Sequence, residues 1–172
     1  MEKLSTRKMA ILALLVAVEV VLTHQFAIET QFIRIGFSFI PVFVMAVLFG
    51  PFWTGIGGVL ADLIGMALFA KSAFFIGFTF NAFLGGVIYG LFFYKKELTW
   101  FRCLGAVLCN TVIINLILTP LWLSMMYNIP LDSWAIWSVR LVKSAIMLPI
   151  EVIILLILGK ALPIDYFKRQ LS

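Results

Sequence analysis

Nearly every cation in this chain lies at a boundary between long apolar runs. Acidic and basic residues make up 12% of the sequence and hydrophobic residues 63%. The mean hydropathy of +1.12 is far above that of a water-soluble globular domain. A helix that crosses a bilayer needs about 20 mostly apolar residues, because the hydrocarbon core is about 30 Å thick and the helix rises about 1.5 Å per residue. A chain of 172 residues therefore accommodates six such helices with short connections. The expected fold is an all-α integral membrane protein, one domain over residues 1–172, with no room for a second, soluble one.

The spans are expected at about 8–26, 35–49, 52–69, 74–94, 101–126 and 137–162. Their breaks have local causes. Gly50-Pro51 ends the second, Lys95-Lys96-Glu97 ends the fourth, and Asn128, Pro130 and Asp132 make the turn after the fifth. Pro41, Pro120 and Pro149 lie inside spans and are expected to kink them. No strands are expected, since the apolar runs lack the two-residue alternation of a membrane barrel.

Cation counting sets the orientation. Lys3, Arg7, Lys8, Lys95, Lys96, Arg102, Lys160, Lys168 and Arg169 fall at one end of the spans, and Arg34, Lys71, Arg140 and Lys143 at the other. The positive-inside preference then places both termini in the cytoplasm. The first span follows a basic stretch, as a signal peptide does, but the five spans after it favour a retained helix. The formal net charge of +5 reflects this inner collar and does not point to nucleic acid.

Each outer cation has a plain explanation, because Lys and Arg near helix ends snorkel to the interface. As a group they fit an anionic solute. Arg140 and Lys143, three apart, share a helix face, while Arg34 and Lys71 close two other outer loops. Together they suit carboxylates or phosphates, with Arg able to form two parallel hydrogen bonds and Lys adding a point charge.

Three acids lie within spans: Glu19, Asp62 and Glu151. Ionisable groups at membrane depth line bundle interiors and have partners. Asp62, on a helix crowded with small residues, can accept a pair of hydrogen bonds from an amino-substituted ring, or it can form a packing ion pair with Lys71 or Arg140. Glu19 and Glu151 are not assigned as ligands. Asn81, Asn110 and Asn115 extend the polar lining, although Asn also glues membrane helices together. Phe74, Phe75, Phe78 and Phe80 precede or flank Asn81 and offer aromatic walls, of which Phe75 and Phe78 are the candidates, among 17 Phe that mostly face lipid or core. Trp134 and Trp137 read as interface anchors. Ala82, Gly86 and Gly90 form a small-residue ridge for close helix approach, and Ala10, Ala13 and Ala17 form a small face on the first helix that can accept a partner's helix.

A series of segments in order resembles the substrate-binding S components of energy-coupling factor (ECF) transporters, and within them the folate (FolT-like) family. They include Ile33-Arg34-Ile35-Gly36-Phe37, Phe39-Ile40-Pro41, Leu48-Phe49-Gly50-Pro51, Ala61-Asp62-Leu63-Ile64-Gly65 and Gly77-Phe78-Thr79. The series continues with Ile88-Tyr89-Gly90-Leu91-Phe92, Leu121-Trp122-Leu123-Ser124, Arg140-Leu141-Val142-Lys143 and Met147-Leu148-Pro149-Ile150. Ala13-x-x-x-Ala17 matches the S-component motif that docks on the transmembrane T component. The resemblance implies a high-affinity folate-capture subunit of an importer in the bacterial cell membrane that works with a T component and two ABC-type ATPases, with an outward pocket that outer loops close. The glutamate carboxylates of folate would suit the outer cations, and its pterin the aromatic walls with Asp62 or Asn81. The expected substrate-binding set is Arg34, Asp62, Lys71, Phe75, Phe78, Asn81, Arg140 and Lys143. Two positions depart from the pattern: the loop Phe69-Ala70-Lys71-Ser72-Ala73-Phe74, where Pro, Gly and Tyr are usual, and Glu151, where Gln is common.

Other classes fit less well. The chain has no Gly-x-x-x-x-Gly-Lys-Ser/Thr loop, so no ATPase activity of its own is expected. One His cannot supply a zinc set, and Cys103 and Cys109, six apart, stand on different helix faces. No enzyme activity, cofactor or metal is expected. The nearest alternative is an S component for another vitamin or a pterin- or pyrimidine-like solute, with thiamine disfavoured by the outer cations.

Overall fold

A computed structural model describes residues 4–29, 34–69 and 73–171, excepting the side chains of Glu29, Arg34 and Leu171. Its helices are α1 (Thr6–His24), α2 (Phe39–Phe69), α3 (Ile76–Phe93), α4 (Trp100–Asn110), α5 (Thr119–Tyr127), α6 (Trp134–Ala161) and a short α7 (Ile164–Leu171). A π-helix, Thr111–Leu118, joins α4 to α5 without a break. Among the described residues, four helical stretches are long and apolar enough to cross a membrane: Phe39–Phe69, Ile76–Phe93, Trp100–Tyr127 and Trp134–Ala161. Large apolar side chains face outward along them. Ile157 is 60% exposed and Leu68 67%, a surface suited to lipid and costly in water.

Local chemistry explains the interruptions. Gly50 has φ 84 and ψ −179 inside α2, a conformation open only to glycine, and it divides the helix into two lengths. Pro51 follows as the first residue of the second length, where its missing N–H costs nothing. The Thr54 hydroxyl donates to the Gly50 carbonyl at 2.7 Å, tying the first turn of the second length to the break. Pro120 acts differently from the simple kink expected. The turns before it widen into the π-helix, and the backbone N–H and hydroxyl of Thr119 both reach the Ile114 carbonyl, the hydroxyl at 2.6 Å. Pro149 leaves α6 continuous, and Pro41 sits in the first turn of α2, where its ring is tolerated. That helix begins at Phe39, later than the expected 35, because Ile28–Glu29 (β1) and Arg34–Ile35 (β2) pair as a short antiparallel hairpin, a strand pair the apolar pattern does not signal.

The small-residue ridge of α3 packs on the second length of α2. A Cβ on Gly86 would stand 2.6 Å from the Thr54 carbonyl oxygen, one on Gly90 would collide with Pro51, and one on Gly58 would meet the Ala82 carbonyl at 2.7 Å. Close backbone approach through small residues is the usual means of packing helices in lipid, where no hydrophobic effect drives them together. The tightest apolar core lies toward the end that holds the termini. Phe43, Val47, Tyr89, Phe93, Cys103, Val107, Val152 and Leu155 fill it, with Phe43 and Phe93 edge to face at 5.0 Å. Toward the hairpin end the bundle holds a cavity instead.

Candidate functional site

Helical periodicity gives the cavity its walls. On α3, Phe78, Asn81, Gly85 and Tyr89 follow one another at steps of three or four, and on α6 Lys143, Met147 and Glu151 do the same. Gly58, Ala61 and Asp62 contribute from α2, Glu19 and Thr23 from α1, and Ala27, Gly36 and Ser38 from the hairpin region. Asn110 and Asn115 complete the ring. The enclosed space is about 290 Å³, and the small side chains of Gly58, Ala61, Ala82 and Gly85 keep it open.

Asn110 and Asn115 share this wall because of the π turn. Residues five apart point about 140° apart on an α-helix, whereas turns bonded from i to i+5 bring them onto one face, as i and i+4 are on an α-helix. Asn115 also carries structure through its backbone, since its carbonyl accepts from Arg140 Nη1 at 3.2 Å.

The polar groups fall into two kinds. Some are anchored: Asp62 Oδ2 accepts from the Thr79 hydroxyl at 2.7 Å, Asn81 Oδ1 accepts from the Trp122 indole N–H at 3.0 Å, and Asn81 Nδ2 donates to Thr119 Oγ1 at 3.2 Å. Others are buried with no hydrogen-bond partner among the described residues: Glu19 Oε2 and Asn110 Oδ1. Buried polar atoms left in that condition are costly, which makes a cavity lined with them suited to a polar ligand. Glu19 and Asp62 lie close enough to act on each other's charge, as do Lys143 and Glu151.

Of the residues expected from the sequence, Asp62, Phe78, Asn81 and Lys143 meet on this cavity. Phe75 stands behind the wall, its ring 6.0 Å from Phe78 and 5.8 Å from Trp122. Arg140 is 5% exposed and is not among the lining residues. Arg34 pairs with Glu29 through its backbone in the hairpin, but its side chain lies outside the described part, as does the whole of Lys71. Asp62 has a partner that the sequence reading did not consider, Thr79. The reading also left Glu19 and Glu151 unassigned, yet both line the cavity, so its described wall carries three carboxyl groups to one cation. Tyr89, Thr119 and Trp122 were missed as well. For Tyr89 the signal was present, since it continues the stripe of Phe78, Asn81 and Gly85.

On α1, Ala10, Ala13 and Ala17 are exposed. Ala13 and Ala17 line a shallow, almost wholly apolar groove of about 470 Å³ with Leu60, Ile64 and Leu68 of α2.

Comparison with known proteins places this arrangement. The folate transporter FolT of Clostridium novyi (strain NT) is 43% identical over 147 residues, which cover 86% of this chain and 84% of that protein. FolT of Leuconostoc mesenteroides subsp. mesenteroides is 36% identical over 155 residues, covering 87% and 83%. A crystal structure of FolT bound with folic acid matches with a TM-score of 0.89 and 51% identity, over 92% of this chain and 95% of that one. The model of the family described as ECF transporter, substrate-specific component, matches residues 7–159. This protein is therefore a multi-pass membrane protein that belongs to the substrate-specific components of ECF transporters.

Proposed function

We propose that this chain captures folate at the hairpin end of the bundle and delivers it inward in complex with a T component and two ABC-type ATPases. Both termini are cytoplasmic in this reading, so the hairpin end faces outward. The observation that carries it is one cavity combining an aromatic wall, carboxyl groups and a lysine, with two buried polar atoms on its wall lacking partners among the described residues. The pterin lies against Phe78, backed by Phe75, and its ring amino group donates to Asp62, whose Oδ1 is left over by the bond from Thr79. Lys143 attracts the glutamate carboxylates, and Arg34, Lys71 and Arg140 add positive charge at the same end. The small face of Ala10, Ala13 and Ala17 receives the T component, since small residues let a partner helix come close. Similarity to a FolT bound with folic acid supports the choice of vitamin.

Titration of the purified, ligand-stripped protein with folate, thiamine and riboflavin, followed by tryptophan fluorescence, tests this reading. Tight binding of folate alone is expected. Thiamine is the informative control, because three carboxyl groups on the described wall suit a cationic ring. Preference for thiamine would overturn the folate assignment.

A further inference from the structure

The carboxamide of Asn81 is held at both of its polar atoms. The Trp122 indole N–H donates to its Oδ1, its Nδ2 donates to Thr119 Oγ1, and the Thr119 hydroxyl donates onward to the Ile114 carbonyl. The two ends of this chain permit one direction only. An indole N–H donates and never accepts, and a backbone carbonyl accepts and never donates. Turned over, the amide would set its own N–H against that of Trp122 and oblige Thr119 to give up the Ile114 carbonyl.

Each end is built in. Thr119 stands between the π-helix and Pro120, and its backbone N–H is committed to the same Ile114 carbonyl as its hydroxyl. Trp122 reaches Asn81 because residue 77 is glycine, where a Cβ would come within 2.5 Å of the indole ring. Neither Thr119 nor Trp122 lines the cavity, whereas Asn81 does. With one N–H and one oxygen lone pair committed, the carboxamide has one of each left for a ligand, in a fixed order. That order matches a ring edge with an acceptor next to a donor, as in a lactam.

The geometry points to Thr119 as a positioning residue that, with Trp122, fixes Asn81 to read a lactam edge: the 4-oxo group and N3–H of a pterin. This rests on the folate reading above. Aminopterin supplies the test, because its 4-amino group replaces the oxo group and N3 loses its hydrogen, so acceptor and donor exchange places along the edge. Dissociation constants for folate and aminopterin are measured by calorimetric titration of the full chain in detergent, for the wild type, Thr119→Ser, Trp122→Phe and the double variant Thr119→Val/Trp122→Phe.

Wild type and Thr119→Ser, which keeps the hydroxyl, should prefer folate by about tenfold or more. In the double variant both restraints are gone, Asn81 can turn to suit either edge, and the preference should fall about tenfold, to near parity. A merely structural role would weaken both ligands together, so an unchanged preference overturns the proposal even if both affinities drop. Trp122→Phe keeps an aromatic ring beside Phe75 and removes the indole N–H together with part of the ring system, a loss of packing that affects both ligands alike. Should the double variant fail to fold, this single change should lower the preference by about threefold, and no change there overturns the proposal equally. Failure of the wild type to bind folate would instead overturn the functional reading itself.

Discussion

Asp62→Asn is the substitution most diagnostic of the pocket. The change conserves shape and removes a charge. The Thr79 hydroxyl donates to Oδ2 at 2.7 Å, so in the variant the asparagine oxygen takes that place and the new NH₂ group occupies the other. A position that accepted a hydrogen bond from the ring amino group now presents a second donor to it. Loss of a hydrogen bond to a charged group costs about 1.5–3 kcal/mol, which corresponds to a rise in Kd of about 10- to 150-fold. Calorimetric titration with folate and with pteroate, which lacks the glutamate, measures the effect. Because the partner proposed for Asp62 is the ring, the two ligands should weaken by the same factor. A folate Kd within about threefold of wild type, or a loss seen with folate and absent with pteroate, would refute the assignment.

Lys143→Ala should weaken folate by about tenfold while leaving pteroate nearly unchanged, since the role proposed for the lysine is at the glutamate end; titration of both ligands checks this. Arg140→Ala should also lower the thermal midpoint measured in detergent, because its guanidinium holds the Asn115 carbonyl and the loss leaves a buried acceptor unpaired. Gly50→Ala should destabilise the protein by about 1–3 kcal/mol, because an alanine at φ 84 is strained. Gly90→Ala should cost a similar amount, about 1–3 kcal/mol, because its Cβ meets the Pro51 backbone; thermal unfolding in detergent reads both. Ala13→Leu should leave the folate Kd within about twofold and abolish co-purification with the T component, since the alanine faces outward in a groove apart from the cavity.

The legible part of the site follows from local pattern. Phe78, Asn81 and Tyr89 share a face because a helix repeats about every 3.6 residues, and Lys143 and Glu151 share one for the same reason. The departures are places where backbone geometry changes the phase. Asn110 and Asn115 line one wall only through the π turn before Pro120, and the second span starts late because a hairpin takes up Arg34 and Ile35. Arg140 shows a further limit. Its spacing from Lys143 predicts a shared face, yet Lys143 lines the cavity and Arg140 does not, its guanidinium donating to a backbone carbonyl that no sequence pattern marks.

By itself the sequence determined the solvent, the placement of the apolar helices to within a few residues, the break at Gly50-Pro51 and the resemblance to a transporter family. Hydrophobic length, charge placement and the Gly-Pro break are properties of contiguous residues, so they survive without knowledge of packing. Only the tertiary structure decided which polar side chains share the cavity and which serve as struts. That choice depends on how each helix is rotated about its axis, and small residues at the contacts set the rotation: Gly58 against Ala82 and Gly86 against Thr54 fix α3 on α2 and turn Asp62 and Asn81 toward the same space.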